Sequence, residues 1–227
     1  MMKKYKFLLF DADNTLLDFT RSEEAAIRST MTHSGILPTN ELCVSYSRIN
    51  DGLWKALERK EIDKATLKTL RFEIFVKENS LTADPKLMAR LYVENLSKQP
   101  FVIDGAKELL LSLQNDYEIY IITNGIGFVQ RGRMGASSIN GLYKKLYISE
   151  DIGYEKPDKR YFERVFADIE NFDRSRTLII GDSLSSDIKG AVNCSVDCCY
   201  FSSNGKIPSG DIRPTYTITK LSQLHDI

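Results

Sequence analysis

Phe7-Leu8-Leu9-Phe10-Asp11-Ala12-Asp13-Asn14-Thr15 runs from a four-residue apolar block straight into two carboxylates. The same kind of junction recurs twice: Ile119-Tyr120-Ile121-Ile122 leads into Thr123-Asn124-Gly125, and Thr177-Leu178-Ile179-Ile180 leads into Gly181-Asp182. Brief, almost wholly apolar runs fit strands covered on both faces, as in a parallel sheet between helical layers, although a buried helical turn looks the same over four residues. Segments with helical spacing arbitrate. Asp104 is placed to cap a helix over 105–115 that carries Leu109, Leu110 and Leu113; residues 158–168 carry Tyr161, Phe162, Val165 and Phe166; residues 183–194 carry Leu184, Ile188 and Val192. Strand then helix, repeated, predicts an α/β fold doubly wound about a mainly parallel sheet. In such a sheet the ligand crevice lies beyond the carboxyl ends of the strands, where Asp11, Thr123 and Asp182 all emerge.

Asp11, Asp13 and Asp182 bring together three carboxylates with no Cys or His among them, a hard oxygen set of the kind that suits Mg²⁺. A phosphate dianion facing those groups needs cationic compensation, since two unit charges about 4 Å apart interact by roughly 4 kcal/mol at an effective dielectric of 20. Mg²⁺ and Lys156, from Lys156-Pro157, can supply it. A carboxylate can also attack phosphorus and split one difficult displacement into two easier ones through an aspartyl-phosphate. A second carboxyl nearby can protonate the leaving alkoxide and later activate water. Asp11 and Asp13 suit these two roles.

The ordered series D-x-D-x-T, T-N-G, K-P and G-D-x4-D, at Asp11, Thr123, Lys156 and Gly181 to Asp187, resembles the haloacid dehalogenase-like (HAD) superfamily of phosphatases over nearly the whole chain. The resemblance implies a Rossmann-like core with Asp11 as nucleophile, Asp13 as general acid and base, Thr123 and Asn124 as phosphate ligands, and Lys156 as the charge clamp on the phosphoryl group. It also implies Mg²⁺ on the Asp11 carboxylate, the Asp13 backbone carbonyl and Asp182, with Asp187 supporting the metal or Lys156. Phosphoryl transfer of this kind relies mainly on electrostatic positioning. The phrases F-D-A-D-N-T-L-L-D-F, I-I-T-N-G and Y-I-S-E-D-I-G-Y-E-K-P further resemble the subfamily of pyrimidine 5'-nucleotidases that clear ordinary and noncanonical nucleoside monophosphates. Phosphoglycolate and sugar-phosphate phosphatases and β-phosphoglucomutase share the four motifs and remain the alternatives.

Taken singly, each motif has a plainer reading. D-x-D-x-T can be an Asx turn and helix cap, Thr123-Asn124-Gly125 a turn, Lys156-Pro157 a helix entrance behind a solvated lysine, and Gly181-Asp182-Ser183 a cap. Their order and their placement at strand and helix junctions make the set specific. A two-component receiver domain also combines acidic residues, a Thr and a Lys, but its acceptor Asp follows a later strand. A dehalogenase would need neither Asp13 nor Mg²⁺. One departure stands out: the family often ends the helix after its last motif with Ala-Gly, whereas Cys194-Ser195 stands here, so the usual left-handed glycine is missing.

With 227 residues the chain can bury a substantial core and holds one α/β domain plus an insertion. Lys plus Arg and Asp plus Glu both count 31, so no net field recruits a nucleic-acid polymer or an anionic membrane. The apolar block before Asp11 is too short for a signal peptide, and no transmembrane stretch is expected. Cys43, Cys194, Cys198 and Cys199 read as free thiols of a reducing cytoplasm. A thiol metal site through Cys194, Cys198 and Cys199 is disfavoured because neighbours on a strand point to opposite faces. His33 and His225 lie near no motif, and oligomeric state has no signature here.

Between Asp18 and Pro100 lie roughly eighty residues where a crossover needs about a dozen, which predicts a folded insertion. The expected division is residues 1–17 and 100–227 for the core and 18–99 for a four-helix cap. Thr20 with Glu23 makes a candidate capping box, Gly35 a stop, and Thr39, Asp63 and Asp84-Pro85 further starts. Leu53, Trp54, Leu57, Leu67, Leu70, Phe72, Phe75, Leu87, Met88 and Leu91 supply apolar faces. In the resembling family an insertion here is the cap that closes over the phosphate site and selects the leaving group, and the substrate the resemblance implies is a small phosphate ester, most specifically a nucleoside monophosphate. Trp54, Tyr46, Phe72 or Phe75 could stack on a base, yet apolar residues at helical spacing are more often core.

Overall fold

The computed structural model describes residues 4–205 and 211–227. Its first strand, β1 (Phe7–Asp11), is buried at every position. The remaining strands are β2 (Glu118–Thr123), β3 (Lys145–Ile148), β4 (Thr177–Gly181), β5 (Asp197–Phe201) and β6 (Tyr216–Ile218). All five pairings are parallel, in the order β3-β2-β1-β4-β5-β6. Chain order reverses at β1, and the switch point where ligands gather in such sheets falls between β1 and β4.

Alternation along β1 separates two cores. Leu8 and Phe10 pack with Leu109, Leu110 and Leu113 of α5 (Ala106–Leu113) and with Met134 of α6 (Gly127–Ala136). Phe7 and Leu9 pack with Tyr161, Phe162 and Val165 of α8 (Lys159–Asp168) and with Ala191 of α9 (Lys189–Asn193). Fully burying one such side chain is worth about 1.5–3 kcal/mol, so the double layer fixes strand register against a one-residue slip. Cys199 faces the first core and Cys198 the second; all four cysteines are free and buried. The remaining core helix, α7 (Ser149–Ile152), is one turn long.

The chain divides into two compact units, one being Phe19–Pro100 and the other the chain on either side of it. The inserted unit holds α1 (Phe19–His33), α2 (Asn40–Glu58), α3 (Lys64–Glu78) and α4 (Pro85–Ser97). Thr39, Asp63 and Asp84 cap α2, α3 and α4 through their side chains, and Pro85 opens α4. Tyr46, Phe72, Phe75 and Tyr92 are fully buried in ring-to-ring contact, and Trp54 is half-buried. Tyr46, Phe72 and Phe75 therefore belong to the interior of the bundle. Among the described residues no helix is long and apolar enough to cross a membrane.

Three local expectations are corrected. Thr20 and Glu23 form no capping box: α1 already begins at Phe19, and the Glu23 carboxylate is buried, accepting from Asn50 Nδ2 at 2.7 Å. Asp104 does not cap α5; Gly105 holds the N-cap with φ +83° and no side-chain bond, a conformation that favours glycine. The helix expected over 183–194 is a π-turn at Leu184–Ile188 running into α9, with Ser183 accepting from the Ser186 amide. Its missing glycine is replaced in kind, because Ser195 itself takes the left-handed conformation at φ +55° and Val196 N donates back to Ala191 O at 3.0 Å.

Candidate active site

Strand register brings the motif residues to one edge. Asp11 lies opposite Ile122, the residue before Thr123, and Phe10 lies opposite Ile180, so Asp11, Thr123 and Asp182 leave the sheet at one level. After β1 the chain turns back at once: Leu16 N and Leu17 N both donate to Ala12 O, and Asn14 N donates to Leu17 O at 2.8 Å. Asn14 takes φ +59°, a left-handed position that asparagine tolerates better than most residues. This turn fixes where Asp13 stands.

Lys156 is the hub. Its Nζ donates to Asp11 Oδ1 at 2.6 Å, to Asp187 Oδ1 at 2.6 Å and to Ile122 O at 3.0 Å, which uses all three ammonium protons. The residue is 3% exposed. Asn124 anchors the loop that carries it: Nδ2 donates to Lys156 O at 2.8 Å, and Oδ1 accepts from Lys156 N at 2.9 Å. Asp187 Oδ2 accepts from Ser183 N at 3.1 Å. A Cβ on Gly181 would lie 2.6 Å from Asp187 Cβ, so glycine at the end of β4 is what admits this carboxylate.

Carboxylate oxygens of Asp11, Asp182 and Asp187 all lie within 4.8 Å of one another. One lysine stands against three carboxylates. Burial pushes Asp11 up to about 7 against the pull of Lys156, with Asp187 adding to the rise. Burial, then the neighbouring Asp11 and Asp187, push Asp182 up to about 9. Lys156 goes the other way for its type: burial works to neutralise it, but Asp11 and Asp187 outweigh burial and keep it charged. An oxygen-only set with surplus charge is what a hard divalent cation fits.

Asp13 stands apart from that cluster. Its Oδ1 accepts from Arg133 Nη1 and its Oδ2 from Gln130 Nε2, both from α6. Gln130 Nε2 also donates to Thr123 Oγ1 at 3.0 Å, and Gly125 N donates to the same hydroxyl oxygen at 3.0 Å. Thr123 is buried, and with its oxygen accepting twice its own proton is left to donate. Sequence reasoning missed Gln130 and Arg133. Their signal was a Gln and an Arg three apart in a helix entered from Thr123-Asn124-Gly125, on the face that also buries Val129 and Met134.

Similarity to known proteins identifies the family. A family model described as haloacid dehalogenase-like hydrolase matches residues 8–201. YfnB of Bacillus subtilis (strain 168), named as a HAD-hydrolase, is 39% identical over 226 residues, spanning 100% of this chain and 96% of its own length. Pyrimidine 5'-nucleotidase PynA of Streptococcus pneumoniae is 34% identical across 98% of this chain and 94% of its own. Pyrimidine 5'-nucleotidase YjjG of Escherichia coli is 28% identical across 99% and 98%. The crystal structure of YfnB bound to magnesium matches with a TM-score of 0.94 at 38% identity, covering 99% of this chain and 98% of that one. Motif order, a parallel sheet with its switch point at β1, and a family match across most of the length lead to one conclusion: this chain is a hydrolase and belongs to the haloacid dehalogenase-like family.

Proposed function

We propose that the chain is a Mg²⁺-dependent phosphoric monoester hydrolase working through an aspartyl-phosphate, with pyrimidine nucleoside 5'-monophosphates as its substrate class. The observation that carries the reading is the grouping of Asp11, Asp182 and Asp187 around a single buried lysine at the switch point of the sheet. Asp11, Asp182 and the Asp13 backbone carbonyl would hold the cation, with Asp187 beside them. Bound Mg²⁺ would offset the charge of these carboxylates and of a phosphate dianion.

The chain's own groups supply the chemistry. Lys156 engages one oxygen of Asp11, leaving the other to attack phosphorus as the bond to the leaving oxygen breaks. Asp13 gives its proton to that leaving oxygen, then takes one from the water that attacks the phosphoryl group and frees Asp11. Thr123 donates its hydroxyl proton to a phosphate oxygen. The Asn124 side chain is committed to the Lys156 backbone, so a phosphate contact at this position falls to its main-chain N–H. The inserted helices, residues 18–99, are taken as the cap that distinguishes leaving groups. The nucleotide preference is supported by the relatives named pyrimidine 5'-nucleotidase, at 34% and 28% identity over almost the full length.

The test is phosphate release from dUMP, dTMP, phosphoglycolate and glucose 1-phosphate, each with Mg²⁺ and with EDTA. Fastest release from the pyrimidine nucleotides, abolished by EDTA, is expected. Metal-independent release overturns the mechanism. Preference for glycolate or sugar esters overturns the substrate class alone, and redistribution of glucose phosphates without release points to a mutase.

A further inference from the structure

We infer that Gln130 and Arg133 form a cradle that positions the Asp13 carboxylate for proton transfer, making α6 a positioning element of the reaction. The inference rests on the reading of Asp13 as acid and base. Both oxygens of Asp13 are held from one helix, Oδ1 by Arg133 Nη1 and Oδ2 by Gln130 Nε2. Each hold uses one lone pair, which leaves a second on each oxygen for the reacting proton.

The Arg133 side chain is 0% exposed and that of Asp13 is 25% exposed, so the cradle grips the carboxylate from behind and leaves it open to the site edge. Gln130 also ties the carboxylate to the phosphate loop, because the nitrogen that serves Asp13 donates to Thr123 Oγ1 at 3.0 Å. The amide's orientation is fixed by these two acceptors: Gln130 Oε1 is buried with no hydrogen-bond partner, and turning the amide over would set that oxygen against the Asp13 carboxylate. Gly125 completes the arrangement, since a Cβ there would lie 2.7 Å from Gln130 Cγ and drive the side chain off. Acid–base group and phosphate-binding hydroxyl are thereby held as one unit, the kind of support that keeps reacting groups within the small tolerance catalysis requires.

Leaving-group dependence tests this in the Mg²⁺-loaded enzyme, because kcat/KM reports steps up to formation of the phosphoenzyme. An alkyl ester such as dUMP needs protonation of its leaving oxygen, whereas p-nitrophenolate departs almost unaided. Arg133→Met and Gln130→Met are each expected to lose about tenfold more kcat/KM on dUMP than on p-nitrophenyl phosphate, a part of the 10²–10⁴ that general acid catalysis contributes. Arg133→Lys, which keeps the charge and loses the fork, should fall between Arg133→Met and the parent. Equal losses on the two esters, or none, overturn the cradle. Should Arg133→Met fail to fold, Gln130→Met, a neutral exchange of similar size, decides by the same criterion. Asp13→Asn is the control: a split there without one in the α6 variants sinks only the cradle, and no split in Asp13→Asn sinks the acid–base reading beneath it.

Discussion

Two buried polar chains in this molecule each join a cation to carboxylate chemistry and differ in charge balance. In the inserted helical unit, Arg71 Nη1 donates to Asn50 Oδ1 at 3.1 Å and Asn50 Nδ2 donates to Glu23 Oε1 at 2.7 Å, one cation relayed to one anion. The guanidinium also lies 4.5 Å from the Tyr92 ring centroid, a favourable placement for a buried cation. At the sheet edge, Lys156 faces Asp11, Asp187 and, through them, Asp182. The balanced chain joins α1, α2 and α3, although Arg71 Nε and Nη2 are buried without a hydrogen-bond partner. The unbalanced one stores repulsion that folding alone has no reason to keep, since buried charges otherwise pair or change protonation. Surplus charge, more than burial, separates a site from a strut.

Asp11→Asn tests the contrast most severely. It relieves the surplus by one charge yet should lower phosphate release by about 10⁴-fold or more, the scale on which a lost nucleophile is felt. Near-normal release from the folded variant, as checked by circular dichroism, would remove Asp11 from the mechanism.

Breaking each chain at its cation gives the next largest effect. Lys156→Met and Arg71→Met should each lower the unfolding free energy by about 3–5 kcal/mol, the usual cost of stranding one half of a buried pair. Urea denaturation at two pH values distinguishes them: the Lys156→Met deficit should shrink on going from pH 8 to pH 6, where Asp11, near 7, accepts a proton and relieves the repulsion. An Arg71→Met protein as stable as the parent would mean that the helical chain contributes nothing as a strut.

The smallest effect sharpens the comparison through the pH dependence of the metal. Asp11 near 7 and Asp182 near 9 lie above the ordinary aspartate value of 3.8. Between the unfolded and folded values the native state holds protons that the unfolded chain has released, so the stability of the metal-free protein falls as pH rises through that window. Mg²⁺ would replace those protons, and its stabilisation should therefore be larger at pH 8 than at pH 6, approaching about 2.7 kcal/mol at a hundredfold excess over Kd. A thermal shift with Mg²⁺ that is the same at both pH values would count against metal binding at these carboxylates.

How far the residues could be read from the chain depended on how local their physics is. Runs such as Phe7–Phe10 and Ile119–Ile122 carry their burial in their composition, and Thr39, Asp63 and Asp84 each cap the helix that follows them within three residues. Glu23 broke the same rule because a carboxylate able to serve a backbone N–H was claimed by Asn50, twenty-seven residues away. Gln130 and Arg133 were illegible for the converse reason: polar residues on a buried helical face disturb the apolar stripe, and their partner Asp13 lies 117 and 120 residues off.

By itself the sequence determined the strand and helix alternation, the four motifs at strand and helix junctions, and the balance of charged residues, since each follows from neighbours along the chain. Only the tertiary structure decided that Lys156 spends all three protons on Asp11, Asp187 and Ile122, that the Asn124 side chain serves the Lys156 loop, and that Asp13 turns to α6. A side chain takes the partner that burial leaves within reach, and reach is set by the register of β1 between β2 and β4.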